Sequence, residues 1–138
     1  VLIEAALVGR EISVGVLKWK KKIKVLPITE IISENDFFDY EAKYEGKSKE
    51  ITPAQLPEAW TEAAVTLSKK IYQKMGLEGV TRSEFIFENG IPHLLEVNTI
   101  PGMTLQSLIP QQLEADGISL LEFLEELIGE ALRKKEYL

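Results

Sequence analysis

The sequence predicts an α+β domain built on a mainly antiparallel sheet flanked by helices. Three observations carry that expectation. Runs of alternating apolar and polar residues come in adjacent pairs separated by turn signals, as hairpins do. One long stretch of helical period stands between the two pairs. Two further helical stretches close the chain, so strands and helices are segregated rather than strictly alternating.

Each element has its own signal. Glu11 to Lys18 alternates and reads as a strand. Lys18-Trp19-Lys20-Lys21-Lys22 makes a charged break. Ile23 to Ile32 reads as the returning strand, with Pro27 confining part of it to an edge or bulge. The lysines then form a solvated hairpin tip, or a contact for phosphate or a partner. Asn35 to Thr52 is polar with aromatic punctuation and lacks a period, so it reads as a long loop of the kind that serves as a lid.

Pro57 to Met75 is the clearest helix, with Trp60, Ala63, Ala64, Leu67 and Ile71 on one face. Pro57 suits the first turn and Gly76 the position past the end. Val80 to Phe87 and His93 to Asn98 are strands, joined through Asn89-Gly90, a strong hairpin signal. Thr99 to Gln106 is a loop, and Ser107 caps a short helix that runs to Ala115. The capping box Ser119 to Glu122 opens a last helix to about Lys135, with Leu121, Leu124, Ile128 and Leu132 on one face.

Composition narrows the function. The chain has 138 residues, enough for one domain that buries roughly 70% of its unfolded surface. Sixteen basic against 22 acidic residues leave a net charge of -6, which argues against a binder of nucleic acid driven by phosphate contacts. The absence of cysteine excludes disulfides, thiolate metal sites and a cysteine nucleophile. No apolar run is long enough for a membrane span, and no signal peptide is visible. The chain opens on Val1-Leu2-Ile3-Glu4, as if inside a strand and without Met, so a piece of a longer protein is expected.

The chemistry concentrates in the second hairpin. Arg82, Glu84 and Ile86 share one strand face, and Leu94, Glu96 and Asn98 share one face of the next strand. An odd hairpin loop brings those faces to the same side, whereas an even loop sets Glu84 beside Leu95 and turns Glu96 away. With the odd loop, two carboxylates, an amide and a guanidinium converge. Arg82 relieves one carboxylate's repulsion and a divalent cation relieves both. Oxygen-only donors favour Mg²⁺ or Mn²⁺ over zinc. A surface ion-pair network is the competing reading. Directly downstream, Gly102 permits close backbone approach to a ligand, and Ser107 stands where a helix start favours an anion. His93 shares parity with Leu95 and Val97, away from the carboxylates, and reads as structural. Trp60 and Met75 read as core or helix-face residues.

Glu96-Val97-Asn98-Thr99-Ile100-Pro101-Gly102-Met103-Thr104 resembles the signature of D-alanine–D-alanine ligases, members of the ATP-grasp superfamily. Phe37 to Tyr44 is similar to that family's mobile loop, and Gly9 to Val14 to the segment opening a central strand. The resemblance implies the large ATP-grasp subdomain, spanning residues 1–138 as the C-terminal part of the ATP-grasp domain. It implies that the N-terminal domain and the small ATP-grasp subdomain lie outside this chain, which alone is then inactive.

By the same resemblance, Glu84, Glu96 and Asn98 hold Mg²⁺ (or Mn²⁺) on the ATP phosphates. Arg82 and the Gly102 amide stabilise the acyl-phosphate and the tetrahedral intermediate. Ser107 and the Leu108 amide hold the acceptor carboxylate. Lys43 meets the transferred phosphate, and Tyr44 orders the loop over the acceptor. Glu4, Ala6 and Leu7 border adenine, and Glu11 binds the ribose. The implied partners are D-alanine and ATP, with no nucleic acid and no membrane. The implied location is cytoplasmic, and a homodimer is left open for the full-length parent.

Three positions depart from the family pattern. Glu84 stands where Asp is usual, Ala6 where many members carry an aromatic residue, and Phe38 where Tyr is common. An ATP-grasp ligase with another amino or hydroxy acid acceptor, and a non-catalytic nucleotide- or Mg²⁺-binding module, are the alternatives.

Overall fold

The computed structural model describes residues 1, 3–33 and 48–135. Within them a six-stranded, all-antiparallel sheet carries three helices. The strands are β1 (Arg10–Trp19), β2 (Lys22–Val25), β3 (Thr29–Ser33), β4 (Ser48–Ile51), β5 (Val80–Glu88) and β6 (Ile91–Asn98). The helices are α1 (Glu58–Lys74), α2 (Leu108–Ala115) and α3 (Leu120–Lys135). The sheet order is β4-β3-β1-β5-β6, with β2 also paired to β1.

The expected strand Ile23 to Ile32 is two strands, because Pro27 interrupts the ladder and brings no N–H to continue it. Both pieces return to the same edge of β1: β2 pairs with Val16 to Trp19, and β3 with Glu11 to Ser13. The tip between β1 and β2 holds Lys20 and Lys21 at φ 49° and 66°, the left-handed pair that a tight two-residue hairpin requires. The expected loop Asn35 to Thr52 ends in strand β4, where the β3 edge recruits a polar segment into its ladder. Residues 34–47 of that loop lie outside the described residues, and with them Lys43 and Tyr44.

Alternation along β1 divides the core in two. Ile12, Val14 and Val16 face α1 together with Phe85 and Phe87, all fully or almost fully buried. Trp60 stacks on Phe87 at 4.8 Å between ring centroids with the planes 7° apart. Arg10 binds Glu30 through Nε and Nη2, at 2.6 and 2.7 Å, and its guanidinium lies 5.9 Å from the Trp60 ring centre. Tyr72 donates to the Gly79 carbonyl at 2.8 Å, and burial pushes its phenol pKa up. Met75, expected on the packed face, is exposed as the residue capping the end of α1.

The opposite face of β1 carries Glu11, Ser13, Gly15 and Leu17. Leu17 joins Leu26, Val80, Ile109, Leu113 and Phe123 in a second cluster beneath α2 and α3. The stripe Leu121, Leu124, Ile128 and Leu132 does share one face of α3, but that face is exposed. The packed face is Leu120, Phe123 and Leu127. Helix α3 has apolar residues on two faces, and only its docking against α2 chooses between them.

The capping box forms as expected. The Ser119 hydroxyl and backbone N–H both donate to the Glu122 carboxylate, at 2.7 and 3.0 Å, and hold its pKa below the usual range. A folded-state pKa below the unfolded one contributes stability above the unfolded value, lost as pH falls through the folded value. The Ser119 amide is therefore expected to lose hydrogen-exchange protection in acid, relative to amides in the centre of α3. Glu122→Gln, which keeps an acceptor at all pH values, should abolish that selective loss.

Candidate active site

The second hairpin turns on Asn89 and Gly90, at φ 51° and 80°, so its loop has two residues and is even. An even loop alone would set Glu84 opposite Leu95. Near the turn the ladder does follow that parity, with Glu88 opposite Ile91 and Phe85 opposite Leu94. A β-bulge between Glu84 and Phe85 then absorbs Leu95, and Glu84 comes to lie opposite Glu96 and Arg82 opposite Asn98. The convergence expected from an odd loop is reached through an even loop plus one inserted residue.

The bulge corrects two placements. Leu94 pairs with Phe85 and belongs to the α1 face, not to the face of Glu96. His93 pairs with Ile86, which shares a face with Glu84, so it lies on the carboxylate side of the sheet rather than away from it.

Small residues on β1 make room for this group. Ser13 stands opposite Glu84 and Gly15 opposite Arg82. Arg82 Nη2 donates to Glu84 Oε1 at 2.7 Å, with the two side chains only 18% and 14% exposed. Arg82 Nε and the fully buried Ser13 Oγ have no hydrogen-bond partner among the described residues. Glu96 is exposed beside them, and Asn98 is partly buried. Asn98 Oδ1 accepts the Ile100 N–H at 3.0 Å, which starts the turn away from the sheet.

The loop after Asn98 leads to the start of α2. Pro101 is buried and anchors it. Ser107 occupies the N-cap position, yet its hydroxyl makes no cap hydrogen bond and pairs instead with Thr104 Oγ1 at 2.8 Å. The expected plain cap is therefore not what this hydroxyl does. Gly102 sits so close that a Cβ there would lie 3.0 Å from Ser107 Oγ. Gly102, Thr104 and Ser107 thus form one polar cluster ahead of the α2 N–H groups, with Leu108 buried behind it.

Glu11 lies on the same sheet face as Glu84, two positions before Ser13 on β1. Glu4, Ala6 and Leu7 lie on the non-regular segment ahead of β1, with Glu4 and Ala6 exposed. The structure thus brings Arg82, Glu84, Glu96 and Asn98 onto one face and Gly102 next to Ser107. It does not gather the residues ahead of β1 into that group.

The donor set fits a hard divalent cation. It is made of oxygen only, and an octahedral ion completed by water and phosphate oxygens needs few protein ligands. No group of three His, Cys, Asp or Glu side chains forms a metal cage among the described residues. Two carboxylates and an amide suit an ion shared with a phosphate better than a closed structural site.

The open antiparallel sheet with its three helices matches the fold of ATP-grasp ligase structures. Residues 1–129 match the family model described as D-ala D-ala ligase C-terminus, and the chain belongs to that family. The D-alanine--D-alanine ligase of Flavobacterium johnsoniae is 57% identical over 120 residues, covering 87% of this chain and 37% of that protein. A crystal structure of the D-alanine--D-alanine ligase of Bacillus anthracis complexed with ATP is similar at TM-score 0.78 and 32% identity, covering 96% of this chain and 42% of that one. The VanG D-Ala:D-Ser ligase of Enterococcus faecalis is similar at TM-score 0.73 and 29% identity, over 90% of this chain and 36% of that one. The chain spans about two fifths of the length of the curated relatives it matches, 37% and 41% for two of them.

Sequence reasoning missed Ser13, Thr104 and Gln112. The last is one of two adjacent amides, Gln111 and Gln112, between Ile109 and Leu113, and only the burial of Gln112 singles it out.

Arg82→Met should cost about 1.5–3 kcal/mol, because it leaves a largely buried Glu84 carboxylate without its charge-assisted bond. The double change Arg82→Met with Glu84→Gln should recover part of that loss in urea denaturation.

Proposed function

We propose that this chain supplies the C-terminal catalytic portion of an ATP-dependent D-alanine–D-alanine ligase. The observation that carries the reading is the pairing of Glu84 with Glu96 and Arg82 with Asn98 on one face, followed in the chain by the Gly102–Ser107 cluster, in a chain of that ligase family. The carboxylate of a first D-alanine attacks the γ-phosphorus of ATP and ADP leaves. The amine of a second D-alanine attacks the acyl-phosphate, and phosphate departs as the peptide bond forms. The product feeds peptidoglycan precursor synthesis, a cytoplasmic role.

The residues divide that work. Glu84, Glu96 and Asn98 hold Mg²⁺ (or Mn²⁺), which when bound neutralises charge on the phosphates. Arg82 and the Gly102 N–H face the charge that develops on the acyl oxygens. The Ser107 hydroxyl, bonded to Thr104 Oγ1 rather than to the helix end, and the Leu108 N–H take the acceptor's carboxylate. Glu11 binds the ribose, and Glu4, Ala6 and Leu7 border the adenine. Lys43 and Tyr44 close over the reacting groups, which excludes water from an intermediate it would hydrolyse. The remaining length of the relatives supplies the first D-alanine site and further ATP contacts in the intact ligase.

A second reading changes only the acceptor. Similarity to a D-Ala:D-Ser ligase favours keeping D-serine as a rival to D-alanine.

The test is D-alanine-dependent phosphate release from Mg-ATP by the intact parent protein. Release is expected, and Glu96→Ala should abolish it. Arg82→Ala should lower turnover by roughly 10²–10³-fold while nucleotide binding changes far less. ATP binding with no release on D-alanine, but release on D-serine, would replace the acceptor. No release with either would leave a nucleotide-binding module.

A further inference from the structure

The edge of β1 has a gap. Strand β3 pairs as far as Ser13 and β2 begins at Val16, because the chain between them bends through Pro27. The Leu26 N–H still reaches the Gly15 carbonyl at 2.9 Å. The Ser13 carbonyl and the Gly15 N–H face the break.

The side chain of Gln112, from α2, fills it. Gln112 Oε1 accepts the Gly15 N–H at 3.0 Å, and Nε2 donates to the Ser13 carbonyl at 3.0 Å. Its second Nε2 hydrogen goes to Thr29 Oγ1, also at 3.0 Å, and that hydroxyl is paired with Thr52 Oγ1 at 2.6 Å. A side-chain amide carries one acceptor and a donor in the geometry of a peptide group, so it replaces a missing rung of the ladder. Gln112 is fully buried, which makes each of these bonds costly to lose.

Gly15 is the other half of the joint. A Cβ there would run into Gln112 Oε1 and stand 2.8 Å from Ile109 Cδ1 and 2.9 Å from Leu26 Cδ1. Helix α2 therefore sits closer to β1 than any side chain at position 15 would allow. The two strand positions bonded by Gln112 are those opposite the site pair on β5: Ser13 faces Glu84, and Gly15 faces Arg82. Five residues before Gln112, Ser107 opens the same helix.

The geometry points to Gln112 as a positioning residue. Its amide fixes the start of α2, and with it the acceptor-carboxylate site at Ser107 and Leu108, against the strand pair that carries Arg82 and Glu84. This assignment rests on the ligase reading above. It gives Gln112 a role in where the acceptor sits and none in contact with substrate.

The test uses the intact parent protein and two perturbations of the same joint. Gln112→Met keeps the volume and removes the bonds. Gly15→Ala keeps the bonding groups and pushes α2 outward. Both are expected to raise the D-alanine concentration for half-maximal turnover by roughly tenfold, with the KM for ATP moved by less than about twofold. Ala64→Gly, in the α1 layer on the opposite face, is the control for a general loss of stability. It should lower Tm without moving the D-alanine dependence.

If both variants shift ATP and D-alanine alike, or leave D-alanine unmoved, the positioning role is overturned and the ligase reading stands. The positioning role is likewise overturned if Ala64→Gly reproduces their D-alanine shift. Should Gln112→Met fail to fold, Gly15→Ala decides alone. A wild-type parent with no D-alanine-dependent release overturns the ligase reading and this assignment together.

Discussion

Two carboxylates on neighbouring strands repel unless something positive comes between them, and a sheet sets them side by side only if its register says so. In this chain the register is decided by one residue. Leu95 is absorbed in a bulge, and every position of β6 beyond it moves by one relative to the turn. That inserted residue sets Glu96 opposite Glu84 and Asn98 opposite Arg82. It also lets the strand near the turn present Leu94 to the α1 layer. The bulge thus gives the two ends of one strand opposite parities relative to the turn.

The space above this pair is shaped from β1. Ser13 and Gly15 are small where their cross-strand partners are Glu84 and Arg82. Gly15 also lets α2 press close, with Gln112 and Ile109 packed where a side chain at position 15 would stand. Arg82 then has Glu84 as its ion-pair partner, while its buried Nε keeps a donor without a partner among the described residues.

Much of the fold was legible in the residues. Asn89-Gly90, the α1 stripe, Gly76 and the Ser119 to Glu122 box each use short-range physics that needs no partner segment. The candidate site was legible as a motif: Glu96 to Thr104 carries its residue types at fixed spacing. The parts not legible depend on what lies opposite. The side of the sheet that His93 takes could not be read from alternation, because a bulge leaves no local mark. The exposed stripe of α3 was as periodic as its packed one. Strand β4 forms from polar residues because an open edge accepts them.

By itself, the sequence determined the α+β class, the order of elements, the family and the identities of the acidic, amide and glycine residues at the site. Those follow from periodicity, turn chemistry and motif, which are local along the chain. Only the tertiary structure decided that Glu96 faces Glu84, that Ser107 leaves its cap unused and that Gln112 completes the edge of β1. Each of these turns on a contact between distant segments, such as the 97 residues separating Gly15 from Gln112. Such contacts are set by register and close packing, which no window of sequence contains.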